Sequence, residues 1–305
     1  MNQTSAIIGL LSQSSIHAGT GQNTGVIDLP IQREGHNGWP CVFGSAVKGA
    51  LRVRAEDEYG KNNDSVTHVF GPSTNNGQDH AGAISISDAR LLLLPVRSLT
   101  SQFKWVTCPA ALKRYQQDAS RFAKDILFAT DFNVGDEEAL AEKVVTEKDK
   151  NVFLEEYRFK LAETDLTAVI DVLLPLMKNI DKATLQQQLV IISDDNFSHM
   201  VQHVTPVNAH IAIDSDTKIV KTGALWYEET LPPETLLYTG LLAVASRKPH
   251  NKDAEPDKQA KQKDAQEILH AVTDLFDEHS WLQLGGNETV GMGWCAVSIL
   301  ENAGE

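Results

Sequence analysis

His17 and Asp28 lie in one glycine-rich segment, IHAGTGQNTGVIDLP. An imidazole and a carboxylate are the commonest groups for moving a proton, and a carboxylate is also a ligand for a hard divalent cation. Asp28 sits between Ile27 and Leu29 and is followed by Pro30. An acid in such an apolar, strand-like stretch either faces solvent by alternation or is placed there for chemistry. The bland alternative for His17 is a loop histidine satisfied by hydrogen bonds. A second segment, GSAVKGALR, offers Ser45 at a helix start and Lys48 and Arg52 four residues apart on one helix face. Free N–H groups and the dipole at a helix N-terminus favour an anion, so this segment reads either as a phosphate grip or as a capped surface helix with two solvated cations. Glu228 and Glu229, in WYEETLPPE, form a paired-carboxylate candidate. In a strand the two point to opposite faces, so only one can reach a given site.

Other constellations are weaker. His199 and His203 are spaced i, i+4, with Asp194 and Asp195 before them. That spacing suits a metal, but the pattern lacks HExxH context; a small-molecule metalloenzyme built on this pair is the reading it would support. Gly19, Gly21 and Gly25 are spaced GxGxxxG with no helix pattern behind them, which is not a dinucleotide fingerprint. Walker, GxSxG and Cys–His nucleophile patterns are absent.

The elements that must carry these residues alternate between strand and helix. Strands are expected at residues 4–11, 83–96 (as one or two strands), 152–161, 188–192, 235–245, 281–284 and 294–300, and helices at 46–59, 110–124, 166–180 (interrupted by Pro175) and 266–278. Ser45 is expected to cap the first of these helices, and Asp194 or Asp195 another running to Val201. Residues 205–213 and 218–226 flank Asp214-Ser215-Asp216-Thr217 and read as a hairpin. Residues 61–82 read as loop, 131–149 as an acidic surface excursion and 247–262 as a mobile insertion. The rhythm suits a single α+β domain over 1–305, a sheet-and-helix core with elaborated loops, better than a regular doubly wound sheet.

Composition bounds the rest. The 305 residues are 42% hydrophobic, enough for a real core. The three cysteines, far apart and odd in number, fit a reducing compartment. With no leader pattern and no long apolar run, a cytoplasmic protein without a membrane partner is expected. A net charge of −14 argues against a non-specific nucleic-acid binder. Yet between Ser87 and Asp125 the cations Arg90, Arg97, Lys104, Lys113, Arg114, Arg121 and Lys124 outnumber the acids, so a local basic groove is compatible with the total.

Taken together, IHAGTGQNTGVIDLPIQREGHNGWPCVFGSAVKGALR, VFGP, AGAISISDARLLLLPVRSL, FKWVTCP, LVIISDDNFSHMVQH, GALWYEETLPPETLLYTG and LQLGGNETVGMGW resemble, in matching order, the repeated backbone subunit of the type III-B CRISPR effector, in the RAMP superfamily. The resemblance covers residues 5 to about 300. It implies a modified ferredoxin-like (RRM-like) palm with a β-hairpin thumb at about 204–228 and insertions that vary, about 60–82, 131–150 and 247–265. It also implies copies stacked head to tail along CRISPR RNA, other Cmr-type effector subunits as partners, and cleavage of complementary target RNA at regular intervals. The implied catalytic carboxylate is Asp28, with His17 beside it and Glu228 or Glu229 assisting. The implied cofactor is Mg²⁺ or another divalent metal, with Asp28 either a metal ligand or the base for a 2′-OH. Ser45, Lys48 and Arg52, with Gly285, Gly286, Gly291 and Gly293, are implied to grip the guide backbone. Met292 stands where a basic residue is expected. The alternative within the same assembly is a scaffold subunit that binds RNA without cutting.

Overall fold

The computed structural model describes residues 3–22, 25–61, 63–72, 80–123, 126–249 and 263–301. In chain order its elements are β1 (Gln3–Ser12), β2 (Cys41–Val42), α1 (Gly44–Tyr59), α2 (Asp64–Phe70), β3 (Ile84–Ile86), β4 (Ala89–Arg97), β5 (Phe103–Thr107), α3 (Pro109–Phe122), β6 (Glu138–Ala141), α4 (Lys143–Thr146), β7 (Asn151–Leu154) and β8 (Tyr157–Glu163). There follow α5 (Thr167–Leu173), α6 (Lys182–Gln188), β9 (Leu189–Ile191), α7 (Asp194–His203), β10 (Val207–Ile213), β11 (Val220–Glu229), β12 (Leu236–Val244), α8 (Ala265–Thr273), β13 (Trp281–Gln283) and β14 (Trp294–Glu301).

One mixed sheet runs β13-β14-β1-β12-β4-β5-β9-β6-β8-β7, with β2 on β4 and β3 on β12. β1 lies at its heart, antiparallel to both β12 and β14. Successive residues of β1 point to opposite faces, and both faces are covered. Ala6, Ile8 and Leu10 join one buried cluster with Val47 and Leu51 of α1 and Leu269 of α8. Ile7 and Leu11 join the other with Leu112 and Tyr115 of α3 and Ile170 of α5. Burial on both faces explains why β1 is a nearly unbroken apolar run rather than an alternating one.

Several sequence expectations need correction. The loop expected at 61–82 contains α2, capped by Asn63, whose side chain accepts from Ser65 N–H, and closed by Gly71 at φ +89°. The acidic excursion contains β6, which sits inside the sheet between β8 and β9, with Ala139 and Ala141 fully buried. Acids elsewhere in that stretch masked a short apolar strand. The single strand expected at 152–161 is two, β7 and β8, turned at Glu155 with φ +52°. Strand β5 and helix α6 were missed. α7 is capped by Ser193, not by Asp194 or Asp195. Residues 73–79 and 250–262, the centres of two expected insertions, lie outside the described residues.

The hairpin β10–β11 forms a sheet of its own, with His210 opposite Trp226 and their rings stacked 5.5 Å apart. Ile211, Ile213, Ile219, Val220 and Leu225 on it are all exposed. A two-stranded ribbon covered on neither face is marginal by itself, so its base must be anchored, and it is anchored at the segment that carries Asp28.

Candidate active site

Asp28 is locked to the base of the hairpin. Its Oδ2 accepts the Tyr227 N–H at 2.7 Å. The next residue, Leu29, donates its N–H to Tyr227 O at 3.0 Å and accepts the Glu229 N–H at 3.0 Å, a parallel bridge. Pro30 then ends the pairing. The carboxylate is half-exposed and lines a cleft of about 410 Å³ with Gln22, Leu29, Gly223, Leu225 and Trp226.

His17 joins the same strand two residues further on. Its Nδ1 lies 2.8 Å from Glu229 O and 3.8 Å from Glu228 Oε1. A carbonyl only accepts, so Nδ1 carries the proton in this contact. The ring is buried.

The two glutamates face apart, as strand alternation requires, and both are 3% exposed. Glu229 is committed to the fold. Its Oε1 accepts from Arg33 (2.5 Å) and from Thr205 Oγ1 (2.7 Å), and its Oε2 accepts from Ile31 N–H (3.1 Å). Arg33 also donates to Gly38 O and Val201 O. The carboxylate thus ties the Asp28 segment, α7 and the hairpin together, with no oxygen turned to solvent. Glu228 accepts from Asn287 Nδ2 at 2.5 Å and flanks His17. Of the two carboxylates only that of Glu228 lies near His17, which meets Glu229 through its backbone carbonyl.

The expected RNA-binding residues divide. Helix α1 begins at Gly44 without a side-chain cap, so Ser45 does not cap it; Ser45 is exposed. Asp88 Oδ1 takes the Gly44 N–H at 2.8 Å, so part of the helix N-terminus is already satisfied by a carboxylate of the chain itself. Lys48 is half-buried and donates to Ile84 O at 3.2 Å. Burial, then Arg247 and Arg52, holds its pKa below the usual lysine range. Arg52 pairs with Glu56 at 2.8 Å and donates to Gly71 O and Pro72 O. Arg52 is therefore a brace for the segment after α2 rather than a free cation.

The glycine loop between β13 and β14 packs on His17. A Cβ on Gly285 would stand 2.4 Å from His17 O, and one on Gly293 would stand 2.1 Å from Leu284 O, so both positions require glycine for contacts within the chain. Gly286 donates its N–H to His17 O at 2.8 Å. Gly291 faces open space. Met292 turns its sulfur toward Asn287 Nδ2, at 3.5 Å.

The cations that left room for a local basic groove are largely neutralised. Arg90 and Arg121 both pair with buried Asp118, Arg114 forks onto Glu34 through Nη1 at 2.8 Å, Arg97 pairs with Glu155, and Lys104 is buried. Lys124 lies outside the described residues. His199 and His203 do stand together, rings 4.4 Å apart, with Tyr157 OH 3.0 Å from His199 Nε2. Among the described residues no three His, Cys, Asp or Glu side chains assemble as a metal site, so the metalloenzyme reading of this pair finds no third ligand. No described helix is long and apolar enough to cross a membrane.

Sequence reasoning missed Arg33, Thr205 and Asn287. Nothing in local pattern marks them, because each acts on a glutamate far away in the chain.

The RAMP superfamily model matches residues 11–296. The CRISPR system Cmr endoribonuclease Cmr4 of Pyrococcus furiosus is 34% identical over 303 residues, covering 97% of this chain and 95% of that protein. The crystal structure of oligomeric Cmr4 from Pyrococcus furiosus superposes with a TM-score of 0.71 at 26% identity, over 99% of both chains. A chain of the type III-B Cmr-beta complex bound to cognate target RNA shares the fold, with a TM-score of 0.69 at 21% identity, over 98% of this chain and 97% of that one. The chain belongs to the RAMP superfamily and, within it, to the Cmr4 family.

Proposed function

We propose that this chain is the repeating, RNA-cutting backbone subunit of a type III-B CRISPR effector. It would hold guide RNA, stack head to tail with copies of itself beside other Cmr-type subunits, and cleave target RNA paired to the guide. The reading draws on the Cmr4 relative, which is named an endoribonuclease, and on the oligomeric Cmr4 structure. The observation that carries the site is the position of Asp28: a half-exposed carboxylate fixed by Tyr227 N–H at the root of a protruding hairpin. Sequence choice would rest on base pairing, with the protein reading backbone and shape. The hairpin would wedge the duplex apart and leave one nucleotide splayed beside Asp28.

The reaction is in-line attack of a 2′-OH on the adjacent phosphorus. The 2′-O–P bond forms, the P–O5′ bond breaks, and the proton passes from the 2′-oxygen to the site and on to the leaving 5′-oxygen. Asp28 would receive that proton or hold a divalent cation against the phosphate. The donor set fits Mg²⁺ rather than zinc. One carboxylate, with no cluster of further His, Cys, Asp or Glu among the described residues, matches an ion that takes most of its ligands from water and phosphate. Such an ion would neutralise charge developing on the phosphate oxygens. His17, buried and held through Nδ1, would act through Nε2.

The experiment is a comparison of the assembled complex with D28A. Retained target binding with lost cutting supports the nuclease. Unchanged cutting removes Asp28 from the chemistry and leaves the chain as an RNA-binding scaffold.

A further inference from the structure

Glu228 is a buried carboxylate whose hydrogen bond comes from one side chain, Asn287, at 2.5 Å. Asn287 stands in the glycine loop with a left-handed backbone, φ +60°. The loop also touches His17 directly, through Gly286 N–H on His17 O and through the close approach of Gly285 to the same carbonyl. His17 Nδ1 in turn faces Glu229 O at 2.8 Å and Glu228 Oε1 at 3.8 Å. His17 Nε2 points under Gly19, where a Cβ would lie 2.7 Å away. The imidazole is thus held by Glu229 O and by its own main chain, clamped under the loop, and it lies beside a carboxylate whose orientation the same loop sets.

We propose that Asn287 is a positioning residue for RNA cleavage. It fixes the Glu228 carboxylate beside the His17 ring, where that charge acts on the imidazole, and the glycine loop serves the cutting site rather than gripping the guide. This rests on the nuclease reading above. Asn287 touches no RNA in this role; its second contact, toward Met292 Sδ, is internal. An amide is suited to the task because it donates to a carboxylate and tolerates the left-handed backbone. A hydrogen bond to a charged group, lost without an alternative donor, is enough to change a rate about tenfold.

The test uses the chain assembled with guide RNA and its partner subunits, in the parent, N287D, N287G and D28A forms. Asp has the shape of Asn and tolerates the same backbone but cannot donate as a carboxylate. Gly keeps the backbone and removes the side chain. The expected result for both Asn287 variants is a single-turnover cleavage rate at saturating target reduced about tenfold or more, with target and guide affinity unchanged. Parental cleavage by either variant overturns the proposal, because a loop-shape role is met by both replacements. A parallel loss of RNA affinity in either overturns it as well, by making the loop an RNA contact. D28A separates this from the parent reading: if D28A is inactive while N287D or N287G cuts normally, only the Asn287 proposal fails, and if D28A cuts normally the nuclease site itself is misplaced.

Discussion

The Asp28 carboxylate accepts the backbone N–H of Tyr227 at 2.7 Å, so the acid and the strand that leads into the hairpin form one rigid unit. Whatever the hairpin does to a bound duplex is thereby referred to the carboxylate. The proposed divalent cation at Asp28 is tested by its removal. Chelating divalent cations with EDTA is expected to stop target cleavage in the assembled complex while leaving target binding intact, and added Mg²⁺ to restore it. Undiminished cutting in EDTA, measured by the product yield at fixed time, assigns Asp28 to proton transfer alone.

Glu229 gives a stability prediction. It is buried against Arg33, with Thr205 and Ile31 N–H completing its contacts. Removing one partner of such a pair strands the other charge, at a cost of about 3–5 kcal/mol. Urea unfolding of E229A and R33A should show that loss in each. Replacing both by apolar residues of similar size should recover much of it. A melting curve for E229A that overlays the parent's contradicts the structural role given to this residue.

Lys48 and Arg52 should behave differently although they share a helix face. Arg52 is paired with Glu56 and holds Gly71 O and Pro72 O. R52A should lower thermal stability and barely move the salt dependence of guide binding. Lys48 has no carboxylate partner among the described residues. If it meets a phosphate, K48A should weaken every guide sequence alike and flatten the log–log salt slope by about one unit. A sequence-selective loss excludes a backbone contact.

His68 sets a pH dependence of stability away from the site. It is buried, between Ser246 Oγ at 2.5 Å and Asp64 Oδ2 at 3.0 Å, with Lys248 and Lys263 nearby. Burial holds its pKa below the ordinary histidine value, and Asp64 opposes that only in part. The unfolded chain therefore takes up the proton first as pH falls. The contribution of His68 is complete above its unfolded pKa of about 6.5 and is lost as pH drops toward the folded value. The melting temperature of the parent should fall between pH 7 and pH 5 more steeply than that of H68Q. Equal slopes would show that His68 is not the responsible group.

The sequence reading succeeded where period and punctuation are local. The unbroken apolar run of β1, the Val47–Leu51–Ala55 stripe of α1 and the Asp214 turn of the hairpin all stand as read. It failed where acids outvoted a short apolar core, as in β6, and where asparagine was taken for loop instead of a helix cap, as at Asn63. At the site, strand alternation made clear that Glu228 and Glu229 part company. It could not tell which would face His17, because that choice is made by Arg33, Thr205 and Asn287 from distant positions. Gly285 and Gly293 were expected to let the guide backbone approach, and the close approach they permit in the structure is to the chain's own backbone.

In the proposed function Asp28 is the residue on which cutting depends, while target binding does not depend on it. The most direct measurement is single-turnover cleavage of a guide-matched target by the complex carrying D28N, alongside its affinity for that target. The Asn side chain can still accept the Tyr227 N–H, so hairpin and fold are preserved while the charge is removed. The account predicts unchanged affinity and a cleavage rate reduced at least about a hundredfold. Cleavage at the parental rate contradicts it.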